Sequence, residues 1–404
     1  MNLKRRQTLG FYAIAPLLPH SIILNGCTSA PMIPMAVSAV VDAKYGGPPG
    51  AIIDGAARYP TVQQALDAAP EQSRAPWRIA LRAGRYYEKL HVTKPNIHFI
   101  GESRSASVIT YDAYAGQAKP AAYPAAYPAA YPAAHLAAYG SGNWTTAGSA
   151  SITVSAPGFF AENITIENSY DYLANEVKAT DDPTRTNDPQ AVALMLTRGS
   201  DRAHFKSVTI TGHQDTLFVD AGRSYFRDCL ISGGVDFIFG AGQTVFEACD
   251  IVSRPRTKPN VHPFGYITAP STQITQRYGL VFLRCKLLKE NANLPPNSTA
   301  LGRPWHPAVN RPDGRYADPD AVGSSVFIEC FMDDHITDDG WYSMTGLQKS
   351  GPNRTVFYPQ DSRFFEYRSS GPGARVNAQR RQLTDAQAAG YTVANVFGDW
   401  TPAL

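Results

Sequence analysis

Two aspartates, Asp215 and Asp236, stand 21 residues apart in Gly212-His-Gln-Asp-Thr-Leu217 and Gly233-Gly-Val-Asp-Phe-Ile-Phe-Gly240, segments that otherwise favour apolar strands. If residues at that spacing lie above one another, the two carboxyls share one site. Two carboxyls that close do not both ionise readily. One is pushed up in pKa and can donate a proton, while the other remains an anion. Such a pair supplies both a nucleophile and a general acid. The same spacing also fits two turn-capping aspartates, and position alone leaves both alternatives open. Gln190 and Gln214 bring side-chain amides near the same phase, and amides suit the oxyanion of an acyl transfer. Leu301-Gly-Arg-Pro-Trp305 adds Arg303, able to hold a carboxylate with two hydrogen bonds, and Trp305, a flat face for a sugar ring.

Elements that could stack these residues are visible in a repeat. Phe160, Phe205, Phe226, Phe246, Phe282 and Phe327 each precede a small or apolar residue by three positions, at spacings of 45, 21, 20, 36 and 45. A unit of about 20 to 22 residues, doubled or lengthened by loops, accounts for all but the 36, which needs an elongated turn. Between the turns lie short β-prone runs, among them Trp77–Leu81, Leu90–Val92, Ile97–Ile100 and Val108–Thr110. Strands this short at this period predict an all-β solenoid, a parallel β-helix in which stacked coils bury one continuous core. Thr61-Val-Gln-Gln64 predicts a capped short helix near its start, and Thr384 one in a loop-rich C-terminal tail that lies along the outside.

Cys229, Cys249, Cys285 and Cys330 all fall at one phase of the repeat, three residues after a Phe. Adjacent coils lie about 4.8 Å apart, within reach of a disulfide. Cys229–Cys249 is the expected pair, and whether Cys285 and Cys330 pair, with or without a coil between them, stays open. A ladder of free, buried thiols is the alternative.

The chain has 404 residues, with 37 Lys and Arg against 34 Asp and Glu. Lys4, Arg5 and Arg6 alone account for the formal charge of +3. The remainder is balanced, which argues against a nucleic-acid partner. This basic start, the apolar run to Leu24 and the sequence Leu24-Asn-Gly-Cys27 predict a signal peptide over 1–26, twin-arginine- and lipoprotein-like, with Cys27 as the lipidated residue. The protein is then exported, either secreted or anchored at the outer membrane or in the periplasm. Residues 27–44, rich in Pro, Ala, Ser and Gly, read as a flexible tether, and 45–404 as the folded domain. Within 119–138, Ala-Ala-Tyr-Pro recurs three times. Pro at every fourth position forbids a helix or an inner strand and predicts an extended surface insertion.

Five motifs stand in one order: Gly84-x-Tyr86-x-Glu88, Gln190-Ala-Val-Ala-Leu194, Gln214-Asp-Thr-Leu217, Asp236-Phe-Ile-Phe-Gly240 and Leu301-Gly-Arg-Pro-Trp305. On these, the chain from about residue 45 onward resembles the pectin methylesterases, in their bacterial form. The resemblance implies a right-handed parallel β-helix and hydrolysis of galacturonate methyl esters in pectin, without metal or cofactor, by a monomer. It makes Asp236 the nucleophile and Asp215 the general acid and base. Gln190 and Gln214 become the oxyanion donors, and Arg303 the group that keeps Asp236 ionised and oriented. Trp305 and Phe239 would flank the sugar, with Thr146, Arg256, Asn260, Tyr266 and Met344 as further contacts. It also pairs Cys229 with Cys249. His213 and Phe218 stand where the family often has Tyr, and Ala308 where it often has Thr. None of these departures removes a catalytic group.

Overall fold

Short runs rich in Val, Ile, Phe and Thr end at residues in left-handed backbone, and each such turn re-aims the chain into a new sheet. Asn163, Ser207, Asp228, Ala248, Arg284 and Glu329 take φ of 52–55°. Each links a strand of one sheet to a strand of the next, as Asp228 links Arg223–Arg227 to Leu230–Gly233. The structure is a computed structural model that describes residues 36–119, 142–257, 261–349 and 353–403. The leader with Cys27, Asn260 and the Ala-Ala-Tyr-Pro insertion beyond Lys119 lie outside these residues.

Three sheets of twelve, eight and seven strands result, and their inter-coil pairings are parallel. The chain visits them in turn and returns one coil further on, so the architecture is the expected parallel β-helix. The seven-stranded sheet carries Leu194–Leu196, Leu217–Val219, Val235–Gly240, Gly265–Pro270 and Thr299–Gly302 in sequence order along its length. The strands expected at Trp77–Leu81 and Leu90–Val92 are present with those bounds. Among the described residues no helix is long and apolar enough to cross a membrane.

Identical residues at one phase make the core. Phe205, Phe226, Phe246, Phe282 and Phe327 stack in sequence with ring centroids 4.4–4.9 Å apart. All five are fully buried, and each such side chain contributes about 2–3 kcal/mol. Phe160 does not belong to this ladder. Its left-handed turn, Asn163, comes three residues later rather than two, so Ala161 pairs with Phe205 and Phe160 with His204. The ring of Phe160 therefore packs outside, against His98 and His204.

The expected Cys229–Cys249 disulfide is corrected, and the open question of Cys285 and Cys330 is answered the same way: all four cysteines are free thiols. Each sulfur points at carbonyls of its own coil and the preceding one. Cys229 Sγ lies 3.3 Å from Arg227 O and 3.5 Å from Phe205 O, and Cys249 Sγ 3.4 Å from both Glu247 O and Phe226 O. Side chains held in this common orientation run parallel, whereas a disulfide needs two Cβ–S bonds turned toward each other.

The tether expected over 27–44 is also corrected where it is described, from residue 36 on. Ala39–Val41 is a fully buried strand of the twelve-stranded sheet, paired with Ala57–Tyr59 and Ile79–Leu81. The short helix forms at Val62–Asp67, with the Thr61 hydroxyl accepting from Gln64 N. Glu88 completes its start by accepting from Val62 N at 2.8 Å and Gln63 N at 2.9 Å. At the other end, the tail helix Val393–Phe397 packs Val396 and Phe397 with Tyr225, Val245 and Val281, on the outside of the solenoid.

Candidate active site

Asp215 and Asp236 sit at the corner where the eight-stranded sheet gives way to the seven-stranded one. Asp215 follows Thr209–Thr211 and precedes Leu217–Val219, and Asp236 is the second residue of Val235–Gly240. Leu217 pairs with Ile238, and Asp215 N donates to Val235 O at 3.0 Å, so the two aspartates occupy matching places on adjacent coils. Both take left-handed backbone, with φ of 62° and 49°. Asp tolerates that region better than most residues, at a cost of about 1 kcal/mol or more each. Downstream, Leu217, Phe237 and Ile238 enter the interior core while Phe218 and Phe239 face outward.

Both aspartates are buried, 8% and 6% exposed. Arg303 reaches Asp236 with two hydrogen bonds, Nε to Oδ1 at 2.9 Å and Nη2 to Oδ2 at 2.5 Å. The guanidinium lies 3.9 Å from the centre of the Tyr266 ring, a cation–π contact that fixes its plane. Asp215 has no such partner. Burial first, then the charge of Asp236, pushes its carboxyl well above the ordinary value, and Arg303 opposes this only in part. Asp215, biased toward its protonated form by burial, therefore stands beside an Asp236 held by arginine.

Gln190 and Gln214 flank the pair on successive coils, and Ala191 N donates to Gln214 O at 3.1 Å. Gln190 Oε1 is buried and has no hydrogen-bond partner. Phe218 and Phe239 stack at 4.2 Å, and Trp305 stands edge-on to them at 6.1 and 5.6 Å. With Ala147 beside Thr146 in the helical turn Thr145–Gly148, they form an apolar platform next to the acids.

The remaining expected contacts divide. Tyr266 is in the site through Arg303. Arg256 is spent on Glu176, with Nε donating to Oε1 at 2.7 Å. Met344 opens an outer hairpin, Met344–Leu347 with Arg354–Phe357, rather than lying on the sheet that carries the acids. His213 packs, as its chemistry allows: its ring stacks on Tyr172 at 4.1 Å and 6°, and burial lowers it to about 4. Tyr172, which no spacing pointed to, is buried against His213 and senses Asp215; burial pushes it up to about 12. Among the described residues Asp333, Asp334 and His335 could hold a metal. They follow Phe331–Met332, three coils beyond the acids, and Lys289 occupies Asp334 at 2.6 Å.

Comparison with known proteins adds to this geometry. Residues 51–140 and 133–399 match the family model described as Pectinesterase. Pectinesterase A of Dickeya dadantii (strain 3937) is 48% identical over 86% of this chain and 88% of the relative. Pectinesterase 31 of Arabidopsis thaliana is 30% identical over 86% of this chain and 90% of the relative. A solved pectin methylesterase in complex with a hexasaccharide superposes with a TM-score of 0.81 at 45% identity, covering 91% of this chain and 99% of that one. The pectin methylesterase of Erwinia chrysanthemi gives 0.79 at 44%, covering 91% and 98%.

Proposed function

The chain belongs to the pectinesterase family, and from that premise we propose that Asp236 and Asp215 hydrolyse galacturonate methyl esters of pectin, releasing methanol and de-esterified pectin. The arginine fork on one of two adjacent carboxyls carries this assignment of roles. An Asp236 oxygen attacks the ester carbonyl carbon. The carbonyl oxygen becomes an oxyanion facing the Gln190 and Gln214 amides, whose stabilisation of developing charge accelerates acyl transfer. As the tetrahedral centre collapses, the bond to the methoxy oxygen breaks and Asp215 gives that oxygen its proton, so methanol leaves. The sugar is then joined to Asp236 as an acyl anhydride. Asp215, now a carboxylate, takes a proton from water as the water oxygen attacks the anhydride. Collapse frees the galacturonic acid group, which gives its remaining proton to solvent and leaves as the carboxylate, restores Asp236 and leaves Asp215 protonated for the next cycle.

Trp305, Phe239 and Phe218 offer ring faces and edges for the sugar, and Tyr266 holds Arg303 in plane. Thr146, Asn260 and Met344 remain further sugar contacts of this proposal, as do a monomeric enzyme, export by the leader and a lipid on Cys27. Mass spectrometry of the native N-terminus tests the last. For the chemistry, methanol release from highly methylated pectin is measured for the wild type and Asp236→Asn. A loss of about 10³-fold or more, with the β-rich circular dichroism spectrum retained and the melting temperature lowered by loss of the Arg303 pair, is expected. Retained methanol release, or new reducing ends in its place, would overturn the proposal.

A further inference from the structure

The outer side of the twelve-stranded sheet carries groups that the proposed reaction does not use. The chain visits the twelve-, eight- and seven-stranded sheets in turn, and the two aspartates mark the corner between the last two. The twelve-stranded sheet therefore lies behind the reacting centre. Along its strands core residues alternate with outward ones. The register aligns the outward ones coil by coil: Arg78 with His98, His98 with Phe160, Phe160 with His204 and His204 with Tyr225. The rings form a stair, with centroids 5.1 Å apart from His98 to Phe160 and from Phe160 to His204, and 5.2 Å apart from His204 to Tyr225. At Tyr225 the C-terminal tail begins to cover the face, with Phe397 edge-on to Tyr225 and Trp400 against Phe397. On the coils before it, Arg78, His98 and Phe160 remain part-exposed.

The charge on this row is one-sided. Glu162 takes Lys206 at 3.8 Å, and Asp228 takes Arg227 at 3.5 Å. Arg78 makes no ion pair among the described residues, and its Nε is buried without a hydrogen-bond partner, as is His204 Nε2. A guanidinium N–H taken from water without a new acceptor is costly unless a ligand supplies one. Burial, then the charge of Arg78, lowers His98 to about 4, and burial, then Lys206, does the same for His204. Near neutral pH both imidazoles are uncharged rings, and Arg78 supplies the unbalanced charge. A part-exposed apolar row rimmed by polar groups marks a contact surface. Flat rings at one per coil suit the apolar faces of successive sugars, and a guanidinium fork suits a carboxylate. A polymer that repeats both features is de-esterified pectin, the product of the reaction argued above. We propose that this row is a second binding site, for a de-esterified stretch of pectin, and that it holds the enzyme on polymer already processed. The identity of the polymer rests on the pectin reading.

Arg78→Gln and Phe160→Ala are compared with wild type on two substrates, a short fully methylated oligogalacturonate and long pectin that carries blocks of free carboxylates. The short substrate reaches only the reacting centre, so its kcat and KM are unchanged, which also shows the fold intact. On the long polymer the second contact no longer raises the local concentration of esters, and KM rises about tenfold with kcat unchanged. An unchanged KM on the long polymer in both variants, or an equal loss on both substrates in Arg78→Gln, overturns the second site. Calorimetry with a short de-esterified oligogalacturonate then counts sites without any need for turnover. Each variant is expected to bind about one equivalent fewer than wild type. Equal counts in the three proteins sink the second site, whereas a wild type that releases no methanol from either substrate overturns the pectin reading and leaves this count to decide whether the row binds polyuronate.

Discussion

Replacing Arg303 separates the two aspartates' roles most sharply. Its guanidinium makes hydrogen bonds of 2.9 and 2.5 Å to Asp236 and lies over Tyr266. The side chains of the pair are 21% and 9% exposed, so water does not freely replace a lost partner. Removing one partner of a buried pair costs about 3–5 kcal/mol, and the part-exposure of Arg303 places Arg303→Ala near the lower end, about 3 kcal/mol. Loss of the cation–π contact adds about 0.5–1 kcal/mol. In catalysis Asp236 loses its aim and its counter-charge together. Misplacing a reacting group alone costs about 10²-fold, and kcat is expected to fall by about 10³-fold. Arg303→Lys keeps a charge but replaces the fork with a point contact, so about tenfold in kcat and about 1 kcal/mol are expected. The assay is initial methanol release from highly methylated pectin, with urea midpoints for each variant. If Arg303→Ala stays within tenfold of wild type, or Lys is as damaging as Ala, the fork does not orient the nucleophile and the roles argued above fall.

Two further expectations concern charge and stability. Asp215 has a folded pKa above its ordinary 3.8, so its contribution is fully present in acid and is lost as pH rises through the folded value. Asp215→Asn escapes that loss: its urea midpoint relative to wild type rises as the pH is raised from about 4, while methanol release is abolished. Parallel midpoint curves for the two proteins would mean that Asp215 ionises freely in the fold. At the C-terminal end, Arg380 and Glu366 form an ion pair with side chains 0% and 1% exposed. Arg380→Met strands the carboxylate and is expected to cost about 3–5 kcal/mol in urea unfolding, most of it regained when Glu366→Leu is added. A double variant no better than the single one would refute the stranded-charge account.

What the sequence displayed and what it concealed follow one physical division. The coil period, the strands around Trp77 and Leu90 and the shared phase of Asp215 and Asp236 were legible because each coil repeats the same core demand. The Phe ladder shows where that legibility stops. Phe160 carries the right residue type one position early, and only the left-handed turn at Asn163 reveals that Ala161 takes the ladder place. Ala39–Val41 looked like tether because a three-residue strand leaves little pattern. The cysteines share a phase, as expected, but a common phase also gives a common side-chain direction, so neighbouring thiols stack without the facing Cβ–S bonds that a disulfide needs. Glu88 capping Val62 and Gln63, and Tyr172 against His213, join residues 25 or more positions apart through loops. Nothing periodic marks such contacts.

The division of labour between the acids follows from the order of coils. Coil spacing of about 4.8 Å brings both carboxyls to one place on the surface of the sheet and disfavours ionising both. It does not decide which one keeps the proton. That is settled by the neighbours on either side. Arg303 follows Thr299–Gly302, two strands beyond Val235–Gly240, and so arrives on the Asp236 side of the pair. On the Asp215 side the adjoining groups are Tyr172, pushed up to about 12, and His213, lowered to about 4. Near neutral pH both are uncharged and provide no counter-ion. A cation at one end of the pair and a neutral aromatic stack at the other make the two aspartates unequal. This inequality is what the proposed roles use, with Asp236 as the group that attacks and Asp215 as the acid that protonates the leaving group.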